Sequence, residues 1–340
     1  MNICFVFESW DKIDPQYETT LTLIHEACKR GHRVAIFSPG NLTIRDNITY
    51  AFCKIIVKKD KISDSIPSFY KSVTFKKQRL PIKGFDVLFL RQNPPLENTM
   101  LNFLDSVKED TIIINDIDGL RKASNKIYTT SFEDEHNYIP ETHVSKDIDY
   151  LESVINECPA DKLILKPLDG YGGKGVIVLE TKAKMNIRSL LEFYIGDDNK
   201  NYIILQEYLE GASKGDIRVL MLNGEAIGAM RRVPKEGDAR SNVHAGGTAE
   251  KYTLTKSDRE LCRVVGQKLV VDGIYFAGLD IIDGKLLEVN VLSPGGIPRI
   301  NKLNKVKLQR NVIDFVELLH KKRDDAINRK LSFRQAINDA

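Results

Sequence analysis

The 340-residue sequence has few cysteines, one tryptophan, no long apolar run and no excess of either charge. Cys4, Cys28, Cys53, Cys158 and Cys262 are scattered, odd in number and free of any C-x-x-C pair. That argues against a zinc site or a disulfide framework and for a reducing, cytoplasmic setting. None of the five sits in a motif that would activate it as a nucleophile. Lys and Arg total 50 against 47 Asp and Glu, a net charge of +3, too even for a protein devoted to non-specific nucleic-acid binding. The longest apolar candidates, at 87–90 and 112–114, are strand-length, so no membrane span is expected. Residues 2–7 lack the basic start, long apolar segment and cleavage site of a signal peptide. What remains is 42% apolar and 29% charged, an ordinary globular balance at a length that allows two or three domains.

The first part of the chain alternates strands and helices. Apolar runs at 3–7, 33–38, 85–90 and 111–115 predict strands, and helical spacing predicts helices at 20–30 and 97–107. This β-α-β pattern implies parallel strands with right-handed crossovers, which bind ligands at their carboxyl ends. Past residue 120 the pattern changes. A helix is predicted at 120–132, with strands at 163–166, 176–180, 202–208, 218–222, 226–231, 275–282 and 285–291 in hairpin-like order. Helices are expected at 189–194, 258–271 and 311–319, before a charged tail. The expected organisation is an α/β domain over 1–120 and an α+β domain over 121–318. The latter divides into 121–206 and 207–318, and the tail is 319–340.

Between the strands at 163–166 and 176–180 lies Gly170-x-Gly172-x-x-Gly175. It matches the dinucleotide fingerprint formally, but that fingerprint needs a helix after its last glycine, and a strand-like Val-Ile-Val-Leu follows. No Ser or Thr follows Lys174, so it is not a Walker A loop either. A glycine-rich loop between antiparallel strands is how kinases cover ATP phosphates, with a strand lysine, here Lys166, as a point charge. A flexible surface hairpin is the plain alternative.

A second signal runs from Gly278 to Pro294. Asp280 lies on one predicted strand, and Glu288 and Asn290 share a face of the returning strand. Hard oxygen ligands of this kind suit Mg²⁺ or Mn²⁺. A two-residue turn at Asp283-Gly284 would place Asp280 opposite Leu287, on the wrong face. A longer turn or a bulge would bring it opposite Glu288. The third signal is the loop at 231–247, with Arg231, Arg232, Lys235 and Arg240 among small residues. It is suited to closing over an anionic substrate, or to being a solvated basic loop. A further basic stretch, 71–83, has no acidic residue and reads as a solvated face or a docking patch.

Taken in order, these segments resemble the ATP-grasp superfamily, most closely the bacterial type of glutathione synthetase. The similarity rests on Leu-Arg-Gln-Asn-Pro-Pro at 90–95, Asn125-Lys126, Ile-Leu-Lys-Pro-Leu-Asp-Gly-Tyr-Gly-Gly at 164–173 and Gln-Glu-Tyr-Leu at 206–209. It continues through Gly-Asp-Ile-Arg-Val-Leu at 215–220, Arg-Arg-Val-Pro at 231–234 and Ala-Gly-Gly at 245–247. Gly-Leu-Asp-Ile-Ile at 278–282 and Glu-Val-Asn-Val-Leu-Ser-Pro at 288–294 complete it. The resemblance implies an ATP-grasp fold behind a Rossmann-like parallel α/β domain. It implies that Lys126 and Lys166 contact ATP phosphates beneath Gly170, Tyr171, Gly172 and Gly173. Gln206, Glu207, Tyr208 and Leu209 would flank adenine, with Asp216 near the nucleotide. Asp280, Glu288 and Asn290 would hold Mg²⁺ or Mn²⁺, and Arg218 and Arg231 would face the reacting groups. Arg91, Arg240, Asn242, Gly246, Gly247, Ser293, Pro294, Gly295 and Gly296 would bind the peptide and amine substrates.

The implied reaction is ATP-dependent amide formation through an acyl phosphate, joining γ-glutamylcysteine to glycine in a homotetramer or homodimer. Three segments depart from the family pattern. Arg91-Gln-Asn-Pro-Pro stands for Arg-Lys-Asp-Pro-Pro, Glu8-Ser-Trp10 for a segment with Asp-Pro, and Ser293-Pro294-Gly295-Gly296 for Ser-Pro-Thr-Cys. They leave open a ligase with a different acceptor amine, and a non-catalytic nucleotide-binding protein is the remaining alternative.

Overall fold

A computed structural model describes residues 1–57, 61–132, 137–168, 172–182, 186–235 and 247–339. The chain forms two compact units, Met1–Ile117 with Leu292–Ala340, and Asp118–Val291.

In the first unit, β1 (Asn2–Val6) is buried along four of its five residues, as an apolar strand covered on both faces must be. α1 (Thr19–Lys29) begins where the Glu18 carboxylate accepts the Thr20 N–H at 3.0 Å. β2 (Arg33–Phe37) then runs parallel to β1. The next strands were not anticipated. β3 (Leu42–Arg45) and β4 (Ile48–Ile56) form a hairpin through Asp46-Asn47, both at positive φ, as a two-residue turn requires. α2 (Ile66–Ser72) leads to β5 (Phe75–Pro81), antiparallel to β4. β6 (Val87–Leu90), α3 (Asn98–Asp105) and β7 (Ile112–Ile114) complete the parallel part. The order is β3-β4-β2-β1-β6-β7, with β5 on β4. The expected parallel core is present, with an antiparallel extension on one edge.

α4 (Ile117–Ala123) enters the second unit, where a 3₁₀ segment (Lys126–Ser131) replaces the end of the helix expected at 120–132. Next come β8 (Thr142–Ser145), α5 (Ile148–Glu157), β9 (Lys162–Pro167), β10 (Ile177–Glu180), α6 (Ile187–Ile195) and β11 (Ile203–Glu207). Their antiparallel sheet has the order β10-β9-β11-β8. Leu163, Leu165, Ile203 and Leu205 pack with Leu151 and Ile155 of α5 and with Leu191 and Ile195 of α6. Strand alternation therefore turns Ile164, Lys166 and Gln206 to the other face. β12 (Asp216–Leu222), β13 (Glu225–Val233), β14 (Thr248–Lys251), β15 (Phe276–Ile282) and β16 (Lys285–Asn290) form a second antiparallel sheet, ordered β14-β13-β12-β15-β16. α7 (Lys256–Val271) precedes β15, held at its start by a Thr255–Asp258 capping box.

α8 (Ile297–Asn304) and α9 (Leu308–Asn338) belong to the first unit. α9 is helical far past the expected 311–319, although its buried residues end at Val316. Among the described residues no helix is long and apolar enough to cross a membrane.

Candidate functional site

The charged face of the second unit is set by strand register. On β12, Asp216 and Arg218 lie two apart and share a face. Asp216 pairs with Arg232 of β13, Arg218 with Asp280 of β15, and Asp280 with Glu288 of β16. The last pairing decides the hairpin question. The turn is the two-residue Asp283-Gly284, both at positive φ, with Ile282 opposite Lys285 and Ile281 opposite Leu286. A bulge then skips Leu287, so Asp280 meets Glu288 and Gly278 meets Asn290.

Two bidentate ion pairs stitch this face. Arg218 donates to both Asp280 oxygens, at 2.6 and 3.0 Å, and Arg232 to both Asp216 oxygens, each at 2.6 Å. Arg232 also reaches Asp280 Oδ1 at 3.0 Å. Burial alone would raise the Asp280 carboxyl, but the guanidinium groups of Arg218 and Arg232 overcome it and hold the group below its ordinary range. Burial would likewise lower Arg232; Asp280 and Asp216 reverse that and raise it. Gly215, at φ 92°, begins this strand, and a Cβ there would lie 2.0 Å from the Arg232 carbonyl oxygen. Gly215→Ala is expected to destabilise the protein by about 2 kcal/mol or more through strain and clash. Urea unfolding of the variant beside wild type checks this.

The other wall comes from the four-stranded sheet. Lys166 is buried, and its Nζ donates to Gln206 Oε1 at 2.8 Å. Gln206 Nε2 in turn donates to Thr142 Oγ1 at 2.8 Å. Burial pushes the Lys166 ammonium down to about 8, with Glu288 opposing and Lys126 assisting. Lys126 Nζ donates to the carbonyls of Pro167 and Leu168, at 2.9 and 3.2 Å. Gly172, Gly173 and Gly175 all have positive φ, as the turn at 172–175 demands. A cavity of about 170 Å³ lies between the two walls, lined by Lys126, Lys166, Gln206, Leu209, Asp280 and Glu288 among others. Gly172, Gly173, Glu207, Tyr208 and Asp216 border it as well. Glu207 is committed to Lys285 Nζ at 2.6 Å and to the Glu141 N–H at 3.2 Å.

These residues fit a divalent cation. Glu288 is raised by burial and by the Asp280 charge, a cost that a cation between the two would relieve. Asn290 Nδ2 donates to Asp280 Oδ2 at 3.1 Å, which brings its amide beside that carboxylate. The donor set is all oxygen. Among the described residues no group of three or more His, Cys, Asp or Glu is gathered as a metal cluster; the fit rests on Asp280, Glu288 and the Asn290 amide.

Arg231 does not join this face. It pairs with Ile217, one residue out of step, and its guanidinium lies 5.2 Å from the Tyr252 ring centre. Arg232, read from the sequence as part of the same basic loop, faces the carboxylates instead, because alternation along β13 sends the two adjacent arginines to opposite faces. Arg91, Ser293, Pro294, Gly295 and Gly296 belong to the first unit. There Arg91 is 1% exposed and donates to Thr20 Oγ1 at 3.2 Å and to the Pro294 carbonyl at 3.0 Å. Burial lowers its guanidinium to about 10, with Glu18 and Glu8 opposing. The N–H groups of Gly296 and Ile297 donate to Thr19 Oγ1, at 3.1 and 3.3 Å. Arg91 therefore braces the 293–296 segment. Gly247 is buried just before β14. Gly170, Tyr171, Arg240, Asn242 and Gly246 lie outside the described residues.

The fold is shared with solved ATP-grasp enzymes. The ATP-grasp ligase PsnB complexed with minimal precursor superposes with a TM-score of 0.60 at 17% identity, covering 93% of this chain and 98% of that one. D-cycloserine synthetase DcsG gives 0.60 at 14% identity, covering 94% and 99%. The architecture is therefore that of the ATP-grasp fold.

Residues 1–121 match the family model of the prokaryotic glutathione synthetase N-terminal domain, and 125–305 that of its ATP-grasp domain. The glutathione synthetase of Gloeobacter violaceus is 35% identical over 328 residues, 93% of this chain and 96% of the relative. That of Agrobacterium fabrum is 34% identical over 330 residues, 95% and 97%. The chain belongs to the prokaryotic glutathione synthetase family and is an ATP-dependent ligase of glutathione synthesis; the family uses ATP, a divalent metal and small-molecule substrates.

Proposed function

We propose that this chain joins γ-glutamylcysteine to glycine, with Mg²⁺ or Mn²⁺ held by Asp280, Glu288 and Asn290. The observation that carries the reading is the bulged register that sets Asp280 against Glu288 beside Lys166. In this reading Lys126 and Lys166 neutralise the ATP phosphates under Gly170–Gly173, and Gln206–Leu209 hold the adenine end. The peptide carboxylate attacks the γ-phosphate to form an acyl phosphate and ADP, and the glycine amine then displaces phosphate. When bound, the cation would screen the triphosphate charge. Arg218 and Arg232 keep Asp280 ionised and offer cationic edges to the reacting oxygens. Most of the catalysis is positioning and charge neutralisation. Arg91 acts on the substrates through the 293–296 segment that it braces, and Arg240, Asn242, Gly246 and Gly247 belong to the substrate side. Free, scattered cysteines support a cytoplasmic setting, and family precedent supports a homo-oligomer.

ADP release should require both γ-glutamylcysteine and glycine, and glutathione should appear as the product. Omitting each substrate in turn, in a coupled ADP assay with product chromatography, checks this. The altered Ser293–Gly296 segment favours one competing reading, a different acceptor amine. ADP formation with γ-glutamylcysteine and another amine, but not with glycine, would establish that instead. No ADP formation with any substrate pair would point to nucleotide binding without ligation.

A further inference from the structure

The first unit contains a cavity of about 460 Å³ that shares no residue with the lysine-lined cavity of the second. It opens where Phe7 leaves β1 and Ser38 leaves β2, the carboxyl ends of two parallel strands, where α/β sheets take their ligands. One wall is Trp10, only 6% exposed. Its ring stacks on Tyr70 and meets Phe75 edge-on, each with centroids 5.1 Å apart. Tyr70 also donates its hydroxyl proton to the Trp10 carbonyl at 3.0 Å, so this apolar wall is fixed.

The β4–β5 ribbon supplies the charged part of the lining. Phe52 pairs with Arg79 and Lys54 with Lys77, so all four stand on one face. Like charges directly opposite across an antiparallel pair are destabilising. No ion pair offsets that cost: among the described residues none of Lys54, Lys77 and Arg79 makes one. Lys54 and Arg79 lie instead over the rings of Phe75 and Tyr50, at 5.9 and 5.2 Å. The acidic residue of the lining, Glu8, is committed to Asn93, accepting its backbone N–H at 2.6 Å and its side-chain amide at 3.4 Å. Three cations with no ion pair among the described residues thus line the same ligand-sized space as a fixed indole.

From this juxtaposition we propose that the first unit carries a second binding site, for a compact organic anion with an apolar body. The anionic groups, carboxylate or phosphate, meet Lys54, Lys77 and Arg79, and the apolar part lies between Trp10 and Phe52. Ordinary basic surface would lack the buried indole, and an ordinary apolar pocket would lack the paired lysines.

Trp10 is the sole tryptophan in the chain, so its emission reads this cavity directly. The experiment titrates the full-length protein with phenylsuccinate and, separately, phenyl phosphate. A saturable change in emission is expected with at least one of them, and the responding arm distinguishes the dicarboxylate from the phosphate ester. The double variant K77Q/R79Q should bind that probe about tenfold or more weakly while keeping its thermal midpoint. If its midpoint falls, K54Q is the replacement, with the same expectation. No saturable change with either probe, or undiminished binding by the folded variant, overturns the proposal. So does a response to heparin alone, which would mark a polyanion surface rather than a small-molecule site.

Discussion

Arg232→Ala is expected to lower the unfolding free energy by about 3–5 kcal/mol, because it strips a cation from two buried carboxylates at once. Asp216 would lose both of its Arg232 contacts, and Asp280 would keep Arg218 as its cation beside the Asn290 amide. Arg232→Lys should recover little, since one ammonium cannot donate to both Asp216 oxygens in the geometry of the fork. Arg231→Ala, one residue away, should cost about 1 kcal/mol or less, the value of a half-buried cation–π contact with no ion pair among the described residues. Urea unfolding of the three variants separates these expectations, with ADP release measured on those that remain folded. A larger loss for Arg231→Ala than for Arg232→Ala would mean that β13 is displaced by one residue.

Lys166→Met should reduce kcat/KM for ATP by about 10²–10³, the usual cost of removing a preorganised charge from a site of charge development. The pH profile carries a second signature. With its ammonium pushed down to about 8, Lys166 in the free protein loses its proton as pH rises through that value. The wild-type kcat/KM for ATP should therefore fall above about pH 8. The stability contribution of Lys166 runs the other way. In the unfolded chain the lysine keeps its proton to about 10.4, so between the two values the unfolded state binds more protons and stability rises with pH. Activity lost in this window is then not unfolding. Lys166→Arg, which stays charged, should move the bend to higher pH. Steady-state kinetics across pH, with unfolding midpoints at the same values, tests both signs.

Burial made the central strands readable: β1, β2, β6 and β7 are short apolar runs because neighbours cover both of their faces. β4 and β5 were not readable in that way. β4 alternates buried and exposed residues, and β5 is mostly exposed and basic, so its segment looked like a solvated stretch. A signal was present in Asp46-Asn47, a turn pair whose tolerance of positive φ suits a two-residue hairpin. α9 outran its prediction because only its first turns bury apolar residues; the rest is helix without an amphipathic stripe against the core.

The sequence by itself determined the chemistry available: the glycine loop, the lysines, the run of carboxylates and arginines, and the ATP-grasp class to which their order points. Only the tertiary structure decided which of them meet. Residue types are local, but which face a strand presents is set by its pairing, and one residue of slip sends every side chain to the other side. That single-residue choice brought Glu288 to Asp280 through the bulge at Leu287, and turned Arg232 inward while Arg231 faces Tyr252.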